Sequence, residues 1–164
     1  GAERTITIGG WSKGWAMTGG RLGWIAASQK VMDGVKKINV SAATHVATFL
    51  MPAAETALGL TEEVEMMNES FLARRTAAHE AFSSLPGVVV PEPEGAFYIL
   101  CDIAGTGMTD IEFATLALKE AKVQVIPGSL MKGGEGLIRI SYATSLENIH
   151  EGVRRLKTWL EQRS

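Results

Sequence analysis

Apolar side chains show helical periodicity most clearly between Thr61 and Leu85. They recur at intervals of three and four residues, which places them on one face of a helix: Val64, Met67, Phe71, Ala78 and Phe82. Thr61 can cap the first turn, where acidic residues follow it, and Pro86 and Gly87 stop the pattern. The pattern predicts one long helix, and a helix of that length can bridge two lobes.

The residues before this helix form shorter apolar runs that are bounded by glycine. The stretches "RTITIGG" and "RLGWIAAS" predict two short buried strands. A helix is expected from Ser28 to Ile38. The alanine-rich stretch "SAATHVATFLMPAAETAL" predicts a buried helix, which Pro52 should kink or restart.

The residues after the long helix alternate between strand-like and helix-like stretches. Their order predicts β-β-α-β-β-α, a small α/β lobe, and Ser145 is expected to cap the final helix. The stretches are "GVVVPEPEGAFYIL", which holds two strands, "MTDIEFATLALKEA", "VQVIPGS", "GLIRISYA" and "SLENIHEGVRRLKTWLEQRS".

Composition limits the classes of protein. Of the 164 residues, 46% are hydrophobic and 21% are charged, which is typical of one folded domain or two small ones. A net charge of −2 provides no electrostatic footprint for nucleic acid, and no apolar stretch approaches the ~20 residues of a membrane span. We therefore expect neither nucleic acid nor membrane as a partner.

The single cysteine, Cys101, lies in an apolar run and is expected to be a small core residue rather than a reactive thiol. One cysteine excludes an internal disulfide, which fits a reducing compartment, and the predicted location is cytoplasmic. The chain begins with Gly1, and a strand-like pattern follows almost at once. We therefore expect the chain to be a piece of something longer.

The glycine-rich stretch "GWSKGWAMTGGRLGW" carries the strongest candidate chemistry. Lys13 is either a solvated surface lysine or a nucleophile that attacks a carbonyl, since the surrounding glycines permit close approach. Arg21, eight residues later, either forms a surface salt bridge or binds a phosphate with its forked donors.

The histidines and tryptophans are interpreted as structural. No pair of histidines has metal-ligand spacing, so no metal site is expected at His45, His79 and His150. The sequence has no basic patch that would bind nucleic acid. We therefore interpret Trp11, Trp15 and Trp24 as residues of the core or of a dimer contact rather than as a surface for base stacking.

Three stretches resemble, in order, the class I and II aminotransferases that use pyridoxal phosphate and have fold type I. The stretch "GGWSKGWAMTGGRLGW" resembles the cofactor-lysine segment of that family. The stretch "RRTAAHEAFSSLPGVVVPEPEGAFYIL" is similar to its interdomain helix and the first strands of its small domain, and "VQVIPGSLMKGGEGLIRISYA" to its late Pro-Gly turn and Arg-Ile-Ser strand. The resemblance covers nearly the whole chain.

The resemblance implies an α/β fold in three parts, equivalent to the carboxy-terminal portion of such an enzyme. Residues 1–60 would end the large, cofactor-binding domain, residues 61–85 would form the interdomain helix, and residues 86–164 would form the small α/β domain. The family's acid that pairs with the pyridine nitrogen lies upstream of the cofactor lysine, outside this chain.

The resemblance also implies roles for individual residues. Lys13 would bind pyridoxal 5'-phosphate as a Schiff base and move the substrate's α-proton, and Arg21 would bind the cofactor phosphate. Ser12 and Gly10 would line the phosphate end, where many members have serine in place of Gly10. Arg139 would bind the α-carboxylate of the substrate.

The implied activity is transfer of an amino group between an amino acid and a 2-oxo acid, in a homodimer. The alternatives are a non-catalytic fragment or association domain, and another fold-type I enzyme such as a lyase, decarboxylase or synthase. This chain alone is expected to be inactive. The Pro-Gly turn has Met131 and Lys132 where the family usually has phenylalanine and glycine, so the substrate preference stays open.

Overall fold

The computed structural model describes residues 2–163, and the described chain divides into two compact units between Met67 and Asn68. The boundary lies inside a helix. The sequence-based division into residues 1–60, 61–85 and 86–164 stays a prediction.

The first unit begins with a β-hairpin. Strand β1, Thr7–Gly10, pairs antiparallel with β2, Gly23–Ala26, and Gly10 lies opposite Gly23. The short helix α1, Trp11–Gly14, follows β1 directly. Both predicted strands are present, but their predicted burial is wrong, since every residue of β2 is exposed and Ile8 of β1 is 75% exposed. The hairpin places the glycine-rich stretch in the connection between the strands.

The rest of the first unit is helical but differs from the predicted pattern. Helix α2, Gln29–Ala42, is longer than expected, and α3 spans only Met51–Ala57. The helix predicted over residues 41–58 is therefore wrong before Pro52, since residues 43–47 are not helical, whereas the restart expected at Pro52 is confirmed by α3. Thr44 adopts a left-handed conformation (φ 59°), which a continuous helix excludes, and Pro52 lies in the first turn of α3, where its missing N–H costs nothing.

Helix α4, Thr61–Phe82, is the long helix that the sequence predicted. It is 22 residues long and crosses the boundary between the two units at Met67. It ends before Pro86, and the chain then turns through Gly87, which has a φ of 73°. A carbon added to Gly87 would lie 2.7 Å from the Gly105 backbone, so this turn requires glycine.

An antiparallel sheet organises the second unit. Strands β3, Tyr98–Asp102, β4, Ile126–Pro127, and β5, Leu137–Ser141, lie in the order β3-β5-β4. The strand expected in "GVVVPEPEG" is reduced to one bridge between Val89 and Asp102. The prolines that follow lack the N–H that a longer ladder needs.

Two helices cover one face of this sheet. Helix α5, Asp110–Leu116, begins with a reciprocal capping box between Thr109 and Glu112 and continues as a π-helical turn, Ala117–Ala121. The final helix, α6, spans Leu146–Glu161, and the hydroxyl of Ser145 accepts a hydrogen bond from the Asn148 amide, which confirms the predicted cap.

The main core lies in the second unit, between this sheet face and its helices. Alternation along the strands buries every second side chain, among them Ile99, Cys101, Ile138 and Ile140. The Cys101 side chain is fully buried, and burial raises the pKa of its thiol to about 12. The expectation of a core cysteine is confirmed.

No helix within residues 2–163 combines the length and the apolar character that crossing a membrane would require.

The buried ring of Phe113 joins α5 to α6. It is fully buried and meets the Trp159 ring edge-on, with 5.1 Å between the ring centroids. We expect Phe113→Ala to lower the free energy of unfolding by about 3–5 kcal/mol, because it leaves a cavity that neighbours fill only partly. Urea unfolding measures the change. Ile111→Ala, on the exposed side of the same helix, is the control, and an equal loss in both variants would contradict the prediction.

Candidate active site

Lys13 lies in α1, in the connection between the two strands of the hairpin. The backbone around it is fixed on both sides: the Trp11 amide donates to the Leu22 carbonyl at 3.3 Å, and the Ala16 amide donates to the Lys13 carbonyl at 3.3 Å. The Lys13 side chain is exposed. The hairpin therefore presents an amine at a defined backbone position on the surface of the first unit.

Trp11 ties this connection to helix α3. Its indole Nε1 donates to the Ala54 carbonyl at 3.0 Å, and its ring centroid lies 6.2 Å from that of Trp15. Leu22 is the buried side chain of the stretch. These contacts support the structural interpretation of Trp11 and hold the segment that carries Lys13.

The glycines of the hairpin serve two different purposes. A carbon added to Gly9 would lie 2.4 Å from the Trp24 ring, and one added to Gly10 would lie 3.0 Å from the Leu22 carbonyl oxygen. These two glycines are needed for close packing within the hairpin. Carbons added to Gly14 or Gly19 would meet no atom of the described chain within 4 Å, so space is open beside those two.

Arg21 ends the connection in a left-handed conformation, with a φ of 51°. Residues other than glycine adopt this region at a cost, and such residues are frequent at functional sites. Its guanidinium donates to the Thr18 carbonyl at 3.1 Å. No salt bridge among the described residues includes Arg21, so its remaining donors can bind an anion.

The donor set of this hairpin fits an aldehyde that carries a phosphate. Lys13 supplies an amine, Arg21 a guanidinium and Ser12 a half-buried hydroxyl, all within one short connection. Gly14 and Gly19 are exposed, and no atom of the described chain lies within 4 Å of a carbon added to either. A phosphate needs hydrogen-bond donors and positive charge, and a carbonyl needs a nucleophilic amine, so the chemistry matches both ends of pyridoxal phosphate.

Arg139 belongs to the second unit. It lies on β5 between Ile138 and Ile140, which are buried, so it projects from the opposite face of the sheet. Leu100 on β3 and Ile126 on β4 are its cross-strand neighbours. Of the five predicted site residues, the structure brings Gly10, Ser12, Lys13 and Arg21 together in one hairpin.

The turn that precedes β5 is tightly packed. A carbon added to Gly128 would fall within 2.0 Å of the Gly134 carbonyl oxygen, so both backbones pass in direct contact. The Asp110 carboxylate accepts a hydrogen bond from the Ser129 amide at 2.7 Å, which joins the turn to α5. Lys132 is exposed, and the described residues provide no salt bridge for it.

Asp110 should make the stability of the protein pH-dependent in acid. Hydrogen bonds from the backbone and side chain of Ser129 hold the pKa of its carboxyl below its ordinary value. This stabilisation is complete above the unfolded-state pKa of about 3.9 and is lost as the pH falls through the lower folded-state pKa. We expect Asp110→Asn to destabilise the protein at pH 7 and by a smaller amount near pH 2.5.

Urea unfolding at the two pH values measures this difference. Glu94→Gln is the control, because Glu94 is exposed and takes part in none of the salt bridges of the described residues. An Asp110→Asn effect of the same size at both pH values would show that the carboxylate charge is not the source of the stabilisation.

The histidines make local contacts with the backbone. His79 Nε2 lies 3.2 Å from the Val90 carbonyl oxygen, and His45 Nδ1 lies 2.7 Å from that of Val46. Within the described part of the chain, no group of three histidine, cysteine, aspartate or glutamate residues is placed to hold a metal ion.

Sequence reasoning missed Tyr98, which contacts a predicted site residue. The carbon Cζ of Arg139 lies 4.6 Å from the centroid of the Tyr98 ring. The period-two alternation of "FYILCD" with its buried residues Ile99 and Cys101 places Tyr98 on the open face of the sheet. That signal is readable in the sequence, but the pairing of β3 with β5 is not.

Comparison with known proteins shows the family to which this chain belongs. The model of the family described as aminotransferase class I and II matches residues 1–156. The chain therefore belongs to the class I and II aminotransferases.

Two curated relatives are similar over nearly the whole chain. The aspartate aminotransferase of Pyrococcus abyssi is 41% identical over 98% of this chain, and the aromatic-amino-acid aminotransferase 2 of Thermococcus litoralis is 40% identical over 98% of it. The chain spans 42% of the length of each relative. This coverage agrees with the expectation that the chain corresponds to a portion of such an enzyme.

A solved structure shows the same fold. The aromatic aminotransferase of Pyrococcus horikoshii OT3 superposes with a TM-score of 0.94 at 40% identity, over 98% of this chain and 44% of that one. The predicted α/β, fold-type I architecture is confirmed.

Proposed function

We propose that the full-length protein is an aminotransferase that uses pyridoxal 5'-phosphate to move an amino group between an amino acid and a 2-oxo acid. The observation that carries the proposal is the hairpin connection, which holds an amine, a hydroxyl and a guanidinium between two paired strands in a member of this family. These are the groups that a phosphate-bearing aldehyde requires.

Lys13 is proposed as the residue that holds the cofactor covalently and moves the substrate proton. When bound, the cofactor acts as an electron sink for the bond that breaks at the substrate's α-carbon. In its neutral form the Nζ amine of Lys13 accepts the α-proton and later returns it to a different carbon, as a general base and then a general acid. The hydrogen bonds of Trp11 restrict the backbone of the segment that carries Lys13.

Arg21, Ser12 and Gly10 are proposed to bind the phosphate. A guanidinium binds phosphate through paired N–H donors and keeps its positive charge throughout the physiological pH range. The left-handed backbone of Arg21 supports this role, because a costly conformation is retained where it orients a functional side chain. Gly10 has no side-chain donor, so any contact from it comes from its backbone.

Arg139 is proposed to bind the α-carboxylate of the amino acid and of the 2-oxo acid. Both substrates carry this group, and a guanidinium matches its two oxygens with two parallel hydrogen bonds. The position of Arg139 on the face of the sheet opposite the core supports the proposal, since a group that binds substrate must stay accessible.

A homodimer and a cytoplasmic location belong to the same proposal. Large apolar side chains are exposed on the first unit, which supports a surface that the rest of the full-length protein or a second subunit covers: Ile8, Ile38, Val40 and Phe49. The buried, unpaired thiol of Cys101 supports a reducing compartment.

We also propose that the 164 residues alone do not catalyse the transfer. The chain spans 42% of the length of the relatives, and the resemblance assigns the acid that pairs with the pyridine nitrogen to a position upstream of Lys13. Other chemistry of fold type I, such as decarboxylation or carbon–sulfur cleavage, is the alternative activity for the full-length protein.

One experiment tests the activity and its alternatives. The full-length protein and the 164-residue chain are each incubated with pyridoxal phosphate, an amino acid and a 2-oxo acid, and all products are measured. We expect transfer of the amino group by the full-length protein only. Release of carbon dioxide or of a thiol in place of transfer would assign the alternative chemistry.

A further inference from the structure

The open face of the second unit's sheet holds a guanidinium against an aromatic ring. Tyr98 lies on β3 opposite Ser141, and Leu100, two residues on, lies opposite Arg139. Tyr98 is therefore the diagonal neighbour of Arg139 on the same face, within reach of a long side chain. The Arg139 guanidinium carbon is 4.6 Å from the centre of the Tyr98 ring.

We propose that Tyr98 is a positioning residue that holds the Arg139 guanidinium in the orientation needed to bind a carboxylate. The proposal rests on the proposed function, in which Arg139 binds the substrate's carboxylate. Tyr98 acts through Arg139 and makes no contact with the reacting atoms.

The other arginines of this unit are mostly fixed by carboxylates. Arg154 and Arg155 pair with Glu151 at 2.7 Å, and Arg163 pairs with Glu120. None of the salt bridges found between residues 2 and 163 includes Arg139. A carboxylate in that position would occupy the donors that a substrate needs, whereas an aromatic ring leaves them available.

The geometry of a guanidinium explains why a ring suits this purpose. Its N–H donors point outward within its plane, and attraction to an aromatic ring acts on the face of that plane. A ring 4.6 Å from the guanidinium carbon therefore restricts the side chain without occupying its N–H donors as a carboxylate would. A fixed guanidinium loses less side-chain entropy when the carboxylate binds.

The Tyr98 ring is itself well supported. Its centroid lies 4.3 Å from that of Phe97, and the Tyr142 amide donates to the Phe97 carbonyl at 3.0 Å. The Tyr142 hydroxyl donates to the Ala96 carbonyl at 2.9 Å, which fixes the chain just before β3. The support for Arg139 thus comes from a strand end that is held at several points.

The test is steady-state kinetics of the full-length protein with two Tyr98 variants. We expect Tyr98→Leu to raise the KM for both the amino acid and the 2-oxo acid by about 5- to 30-fold, with kcat within threefold of the unchanged protein. Tyr98→Phe keeps the ring and should restore both constants to within twofold. The control is Leu100→Ala, which removes the direct cross-strand neighbour of Arg139 and should leave KM within threefold.

A second readout reports the pair itself. In protein labelled with ¹⁵N-arginine, ring currents from Tyr98 should shift the Arg139 Nε–H resonance, which Arg139→Lys identifies by its disappearance. Tyr98→Leu should abolish the shift, and Tyr98→Phe should preserve it. The proposal is overturned if Tyr98→Leu leaves the chemical shift of the Arg139 Nε–H resonance unchanged. It is also overturned if Tyr98→Leu changes the KM by less than twofold.

Titration with succinate separates this proposal from the proposed function. If the full-length protein transfers no amino group, succinate binding is followed at the Arg139 Nε–H resonance. Binding at least fivefold weaker in Tyr98→Leu than in Tyr98→Phe then supports the role of Tyr98 while the proposed function fails. Equal binding in the two variants overturns the role of Tyr98.

Discussion

Lys13→Ala is expected to abolish covalent attachment of pyridoxal phosphate and to lower the rate of amino transfer by about 10⁴-fold or more in the full-length protein. The substitution removes both the amine that holds the cofactor and the base that accepts the substrate's α-proton. Because Lys13 is exposed and the backbone contacts of its segment do not use its side chain, the fold should be retained. The visible absorption band of the bound cofactor, its fixation by borohydride and the transfer rate are the measurements.

Lys13→Arg tests whether a positive charge at this position is sufficient without a nucleophilic amine. It keeps the positive charge and much of the side-chain length, but a guanidinium stays protonated and can neither attack a carbonyl nor accept a proton. We expect it to be as inactive as Lys13→Ala. Lys30→Ala, which removes an exposed lysine from α2 of the same unit, should behave as the unchanged protein. A Lys13→Ala protein that still yields a borohydride-fixed cofactor would exclude Lys13 as the attachment site.

Arg139→Lys is expected to raise the KM for both substrates by about 10- to 100-fold, since an ammonium group cannot reproduce two parallel charged hydrogen bonds. Arg139→Leu should have a larger effect because it removes the charge as well. Attachment of the cofactor at Lys13 should be unchanged in both variants. The expected result is therefore a protein with the normal visible spectrum and a high KM for substrates.

The control for Arg139 is Arg154→Lys. Arg154 is an exposed arginine on α6 whose partner is Glu151, so the substitution tests the general effect of replacing an arginine in this unit. Its KM values should match those of the unchanged protein. A KM in Arg139→Lys within twofold of the control would show that another residue binds the carboxylate.

The elements that could be predicted from the sequence are those with local causes. The long helix at Thr61–Phe82 and the final helix at Leu146–Glu161 follow from apolar spacing of three and four residues. The cap at Ser145 is likewise local, since its partner is only three residues away. Such signals lie within one or two turns and need no distant contact.

The errors occurred where a distant or conformational factor decided the structure. Residues 41–58 have a helical composition, but the left-handed Thr44 separates α2 from α3. Val89 lies in a strand-like run, yet it forms only a bridge to Asp102 because prolines follow it. The interpretation of the hairpin glycines as permitting close approach to Lys13 was incomplete, since packing against Trp24 and Leu22 requires Gly9 and Gly10.

The sequence by itself supplied the residue types of the candidate site, because the stretches that hold Lys13, Arg21 and Arg139 resemble, in order, the motifs of one family. It also determined which side chains of a strand share a face, because side chains alternate along a strand whatever that strand pairs with. Only the tertiary structure decided which strands are neighbours and therefore that Tyr98 lies against Arg139. These two residues are far apart in the sequence, and their contact depends on the register between β3 and β5, which no local pattern encodes.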